Sequence, residues 1–209
     1  MKIIAASGCR LCRGIRGFGF ARLAPRPAQL SRAAILLLGL GLTSCCTTKA
    51  PLAPPATAET VDLNRYAGRW FEIARLPMPF QKADEAAMAE YGSNPDNTLS
   101  VRNIAIRPDG SQHDIRGHAK VLNPPENTKL AVRFRTWFGP LIPVPKAGNY
   151  WVLHVDDLYQ EAIVGTPNRK YLWLLARTAK VSEQRYATLV AKAEALGFDV
   201  SRLIKAPPR

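Results

Sequence analysis

From residue 69 to residue 178 the chain is a series of short apolar runs broken by turn residues. The runs are "RWFEIAR", "AAMAEYGS", "LSVRNIAI", "HDIRGHAKVL", "KLAVRFRTW", "NYWVLHV", "YQEAIVGT" and "YLWLLART". Between them stand "NPDN", "RPDG", "NPPEN", "KAGN", "VDD" and "PNRK", which carry the Gly, Pro, Asn and Asp that tight turns require. Within a run the polarity alternates: Val101, Asn103, Ala105 and Arg107 share one face of an extended segment. Eight strands at this spacing predict an antiparallel meander or a sandwich. Eight is also the number at which an up-and-down barrel closes around room for one small ligand. The period then changes. Tyr186, Leu189, Val190, Ala193 and Leu196 form one helical stripe over 182–196, with Ser182 placed to cap its start and Gly197 its end. An amphipathic helix after eight strands is expected to pack on the wall of the β structure.

The formal net charge of +13 suggests a polyanion partner until its distribution is read. Residues 1–44 hold seven basic residues and no acid, so the remainder carries 22 basic residues against 16 acidic ones. No basic stripe is left to follow a phosphate backbone, and nucleic acid is not an expected partner. Residues 1–44 read instead as a lipoprotein signal peptide. A basic flank ends at Arg32, "AAILLLGLGL" follows, and this apolar run is too short to span a bilayer. "LTSC" then looks like a bacterial lipobox, with Cys45 the acylated residue; the alternative is cleavage that leaves Cys45 free. Cys46 follows it where aspartate would signal inner-membrane retention, so the expected place is the outer membrane, facing the periplasm. Cys9 and Cys12 make a lone CxxC within the leader. No cysteine follows Cys46, so the domain is expected to fold without a disulfide. Residues 45–60 form a lipidated, Pro/Ala/Thr-rich tether at roughly 3 Å per residue. The domain proper is 61–209.

"YAGRWFEIARLP" resembles the GxW signature of the lipocalin family, with Gly68 and Trp70 in the motif positions. "YWVLHVDDLYQEAIV" resembles the family's second region, although Val155-Asp156-Asp157 stands where Thr-Asp-Tyr is frequent. "YLWLLART" resembles the third, with Arg177 in the arginine position. The likeness covers roughly 60–203 and is nearest to bacterial outer-membrane lipocalins of the Blc type, with apolipoprotein D more distant. It implies an eight-stranded antiparallel up-and-down barrel with one C-terminal helix. Gly68, Trp70, Asp156 and Arg177 would then be structural. Trp70 would plug one end, Arg177 would lie across its indole, and Gly68 would let the chain enter beneath.

If one end is plugged, ligand enters between "LPMPFQKADEA", "RPDGSQH", "FGPLIPVPKAGN" and "TPNRK". The third loop carries Phe138, Leu141, Ile142 and Val144, which either pack locally or form a greasy rim. Matching the apolipoprotein D pattern puts Asn103 and Arg107 at pocket positions and Tyr91, Phe134 and Trp173 at aromatic lining positions. The alternatives are a solvated loop-edge charge for Arg107 and plain core filling for the three aromatics. An apolar cup with a cation at its mouth suits a fatty acid, a lysophospholipid or a similar amphiphile. The resemblance leaves a homodimer open. A second reading is an envelope-maintenance protein whose barrel is filled and whose rim, through Leu141 and Ile142, docks a partner. Nothing points to catalysis, a cofactor or a metal. There is no GxSxG or HExxH, His113 and His118 are predicted on opposite strand faces, and His154 stands alone. Glu72, on the face of Trp70, is expected to make a structural hydrogen bond to a tyrosine or an arginine.

Overall fold

The computed structural model describes residues 52–96, 98–136 and 143–208. The leader, Cys45 and the rim residues Phe138, Leu141 and Ile142 lie outside them. The strands are β1 (Gly68–Arg75), β2 (Ala86–Ser93), β3 (Thr98–Ile106), β4 (Gln112–Val121), β5 (Lys129–Phe134), β6 (Tyr150–Val155), β7 (Glu161–Gly165) and β8 (Leu172–Ala176). Each pairs antiparallel with the next, and β1 pairs with both β2 and β8, so the eight strands close into a barrel.

Alternation sorts the side chains into two cores. Ala89, Tyr91, Leu99, Val101, Ala119, Leu130, Val132, Val152, Val164 and Leu175 pack inside the barrel. Their neighbours in sequence, among them Ile73, Leu153, Ile163, Leu172 and Leu174, face outward and would be wet if nothing covered them. The helix α2 (Glu183–Ala195) covers them: Leu189 and Ala193 are fully buried against that wall. Ser182 caps α2 by accepting from the Arg185 amide at 3.3 Å, and Gly197 ends it at φ +84°.

Two bulges rephase the alternation, between Glu72 and Ala74 in β1 and between Val152 and His154 in β6. The first one matters most. Glu72 pairs across with Leu175, yet Arg75, three residues on, pairs with Trp173, so both turn inward. Strict alternation would have sent Arg75 to the outer face. Beyond the bulge β2 no longer reaches β1, and a short strand β9 (Ile204–Lys205) covers that edge at Ala74 and Arg75.

The N-terminal approach differs from the tether expected over 45–60. In its described part, the Ala58 amide bonds the Val152 carbonyl at 3.0 Å and Val61 bonds Glu126 at 2.8 Å. The Ala53 carbonyl accepts from Arg169 at 2.7 Å, and Pro55 is buried. The chain therefore lies along the barrel from about residue 53. Small residues fit against β6, where β5 pairs with it at only two positions, Lys129 with Trp151 and Leu130 with Tyr150. A one-turn helix α1 (Leu63–Tyr66), capped by Asp62, then leads into β1.

Candidate functional site: the barrel interior

The strand directions put residues 94–96, the loops 122–128 and 156–160 and helix α1 at one end, and the loops 76–85, 107–111 and 166–171 with the described residues 135–136 and 143–149 at the other.

The first end is shut. Trp70 is wholly buried, and its indole donates to the Tyr66 carbonyl at 2.8 Å. The Arg177 guanidinium stacks on it at 3.9 Å. The same guanidinium donates to the carbonyls of Arg65 at 2.7 Å, Ala67 at 2.9 Å, Arg69 at 2.9 Å and Tyr159 at 3.1 Å. One planar cation thus satisfies the entering chain and the turn after β6 together. Burial pulls its pKa below the ordinary guanidinium value. Gly68 holds φ +98°, and a side chain there would meet Arg177 at 3.1 Å. Asp156 shapes the β6–β7 turn by accepting from the amides of Gln160 at 2.7 Å and Glu161 at 2.5 Å.

On this floor stands a chain of three tyrosine hydroxyls. Tyr66 and Tyr150 are 2.7 Å apart, and Tyr150 donates to Tyr91 at 3.0 Å. Burial pushes all three pKa values up, that of Tyr91 to about 12 and the other two well above the ordinary phenol value. Tyr91 also stacks on Tyr66, with ring centroids 5.6 Å apart. It therefore belongs to the floor, deeper than the other four predicted lining residues.

Toward the other end the inward face opens. Leu99, Val101, Ala119, Leu130, Val132 and Val152 are buried, whereas Asn103, Ala105, Ile115, Phe134 and Trp173 are half-exposed and His113 is exposed. That gradient describes a cup. Phe134 lies opposite Gly117, and Asn103 lies between Ala89 and Ile115. Arg107 follows at the rim, with its side chain 46% exposed and its Nε 3.8 Å from Glu85. Its charge is thus partly matched by a carboxylate of the 76–85 loop.

Arg75 is the interior residue that sequence reading missed. It is fully buried, with Nε 3.7 Å from Glu72 and Nη2 donating to the Lys82 carbonyl. Glu72 also accepts from Gln81 at 3.0 Å, so this pair ties the 76–85 loop to the barrel wall. Nε and Nη1 of Arg75 and the Asn103 carbonyl oxygen find no hydrogen-bond partner. The one hint in the sequence was an arginine three residues after a glutamate within an apolar strand.

Two polar surface clefts of about 390 and 560 Å³ lie outside the cup at the shut end, one beside Asp62 and Asn127, the other beside Asp156 and Asp157. Among the described residues no group of three or more His, Cys, Asp or Glu is placed to hold a metal. His113 faces into the barrel and His118 out of it.

A closed antiparallel barrel, shut at one end and open to a half-lined cup at the other, is the class of fold that holds one small ligand inside. Residues 61–208 match the model of the lipocalin-like domain. Temperature-induced lipocalin-1 of Arabidopsis thaliana is 42% identical over 150 residues, 70% of this chain and 79% of the relative. Outer membrane lipoprotein Blc of Escherichia coli (strain K12) is 34% identical over 164 residues, 78% of this chain and 88% of the relative. Among solved structures, insecticyanin from the tobacco hornworm Manduca sexta superposes with a TM-score of 0.56 at 21% identity, over 76% of this chain and 86% of that one. The chain belongs to the lipocalin family.

Proposed function

We propose that this lipocalin is a membrane-anchored binding protein that stores or carries fatty acids, lysophospholipids or similar amphiphiles in a bacterial envelope, and that it acts without catalysis. The observation that carries this reading is the gradient along the inward strand faces, from a dry aromatic floor to a half-exposed cup. An acyl chain entering the cup removes its methylenes from water at ~0.8 kcal/mol each. A sixteen-carbon chain then has on the order of 12 kcal/mol available, of which association and chain ordering consume half or more. Micromolar binding needs no further polar contact. Arg107, and Asn103 below it, are the polar groups that a head group would meet; Phe134 and Trp173 flank the tail, and Tyr91 forms the floor beneath it. Acylation at Cys45 and outer-membrane placement rest on the lipobox-like sequence and on the name of the bacterial relative.

The test is tryptophan-fluorescence titration of detergent-free protein with lysophospholipid, fatty acid and an uncharged alkyl alcohol, with mass spectrometry of any ligand recovered. Saturable one-to-one binding, weakest for the alcohol, is the expected result, with Trp173→Ala weakening it about tenfold without unfolding the chain. No saturation with any of the three would sink the carrier reading. A recovered ligand converted to a new mass would mean turnover.

A further inference from the structure

The two ends of the barrel carry opposite charge. The four loops at the open end hold Lys82, Arg107, Arg135, Lys146, Arg169 and Lys170 against Asp84, Glu85 and Asp109, a formal balance of +3. At the shut end, the three loops and the segments 59–67 and 177–182 hold Glu59, Asp62, Asp96, Glu126, Asp156 and Asp157 against Arg65, Arg177 and Lys180, a balance of −3. The side-chain charges of Lys82, Arg135 and Lys146 form no salt bridge among the described residues, and Phe80 stands 65% exposed in the same loop as Lys82.

The path of the chain points the same way. Arg169, in the open-end loop 166–171, donates from Nη1 to the Ala53 carbonyl and from Nε to the Leu196 carbonyl at 2.8 Å. The described chain therefore begins, at residues 52 and 53, on the open-end side. Seven residues lie between Cys45 and Ala53, and the eight steps that join them have a contour of ~25 Å at roughly 3 Å per residue.

We propose that the open end is a contact surface for an anionic lipid membrane, the mouth facing the bilayer and the shut end facing away. The surface potential of anionic lipid falls off within a Debye length of about 8–10 Å. Only charges at the near end feel it strongly, so a molecule polarised along its axis is turned as well as attracted. An amphiphile leaving the bilayer would then meet the cup directly. The orientation rests on the carrier reading only for the acyl anchor; the charge polarity and the grip on Ala53 stand without it.

The experiment uses the mature chain, residues 45–209, made without acylation and with Cys45 and Cys46 replaced by serine, so that the basic leader does not itself bind the vesicles. A bimane probe is attached at Phe80→Cys in one sample and at Leu158→Cys in another; Leu158 lies in a shut-end loop and is 73% exposed. On phosphatidylcholine vesicles containing phosphatidylglycerol, the probe at residue 80 is expected to become shielded from aqueous iodide, and the probe at 158 to stay quenchable. Vesicles without phosphatidylglycerol should shield neither. Lys146→Glu with Lys170→Glu should raise the vesicle concentration needed for shielding at 80 by about fivefold per charge. Lys120→Glu with Arg133→Glu, on the exposed outer wall, should leave it unchanged. Equal shielding at both sites, shielding at 158 alone, shielding at neither site, indifference to phosphatidylglycerol, or no effect of the rim pair would each overturn the proposal. Loss of this orientation with amphiphile titration intact would leave the carrier reading standing, and the reverse result would remove the carrier alone.

Discussion

Arg177 illustrates how much one side chain can hold in this fold. Its guanidinium meets five backbone carbonyls and the Trp70 ring, whose indole is itself bonded to the chain below. Lysine keeps the charge but not the planar fork, so Arg177→Lys is expected to lose about 2–3 kcal/mol of stability, measured by urea unfolding. The three tyrosines set an alkaline limit. Their folded pKa values lie above the unfolded phenol value, so the protonated hydroxyl network stabilises fully below about pH 10. As pH rises from there toward 12, the unfolded chain loses protons that the folded one keeps, and stability falls. Tyr91→Phe removes the outermost hydroxyl and should flatten this alkaline slope in urea midpoints taken at pH 8 to 11; an unchanged slope would deny the network that role. At this scale the sequence was legible where alternation alone decides, as for Asn103, which shares the inward phase of Val101. Tyr91 was not legible as a floor residue, because its hydroxyl partners Tyr66 and Tyr150 come from distant segments.

Strands were legible as elements because each run carries period two and ends in turn residues. The run "AAMAEYGS" coincides with β2, and the others differ from their strands by up to three residues at an end. The β1 bulge had no such signature. An extra residue in a strand changes which face follows without changing composition, and so Arg75 and its pairing with Glu72 emerged only from the fold. Both groups are dry, so removing one strands the other. Glu72→Gln is expected to cost about 3–5 kcal/mol, whereas Glu72→Leu with Arg75→Met should cost clearly less than the sum of the two single changes. A double-mutant cycle in urea reads this directly, and additive losses would mean that the pair is not coupled. The helix has a simpler role. Leu189 is fully buried against Ile163 and its neighbours, and Leu189→Ala should remove about 2–5 kcal/mol while leaving the barrel's far-ultraviolet signature in place.

For the whole molecule, the domain begins earlier than its turn-and-strand pattern suggests. Pro, Ala and Thr over 45–60 look like a free spacer because nothing in that composition announces a docking face. Yet backbone bonds from Ala53, Ala58 and Val61 hold the segment to the barrel. A chain that starts at residue 61 is expected to be less stable than one that starts at residue 52 by about 1–3 kcal/mol in urea, since the hydrogen bonds of Ala53 and Ala58 and a buried proline go with the segment. Equal midpoints would make 52–60 a passive lead-in.

The seam at β1 has one more consequence. β1 is completed by β2 a few residues downstream, but also by β8 and by Arg177, about a hundred residues later in the chain. No local pairing can finish the cylinder. The last strand must arrive before the first loses its bare edge, and topologies of such high contact order fold in milliseconds to seconds. During synthesis at about 5–20 residues per second, the first strand therefore waits some seconds for its partner. Its apolar edge is a hazard throughout that interval, and mutations at the seam should appear in yield and aggregation before they appear in the stability of molecules that have already closed.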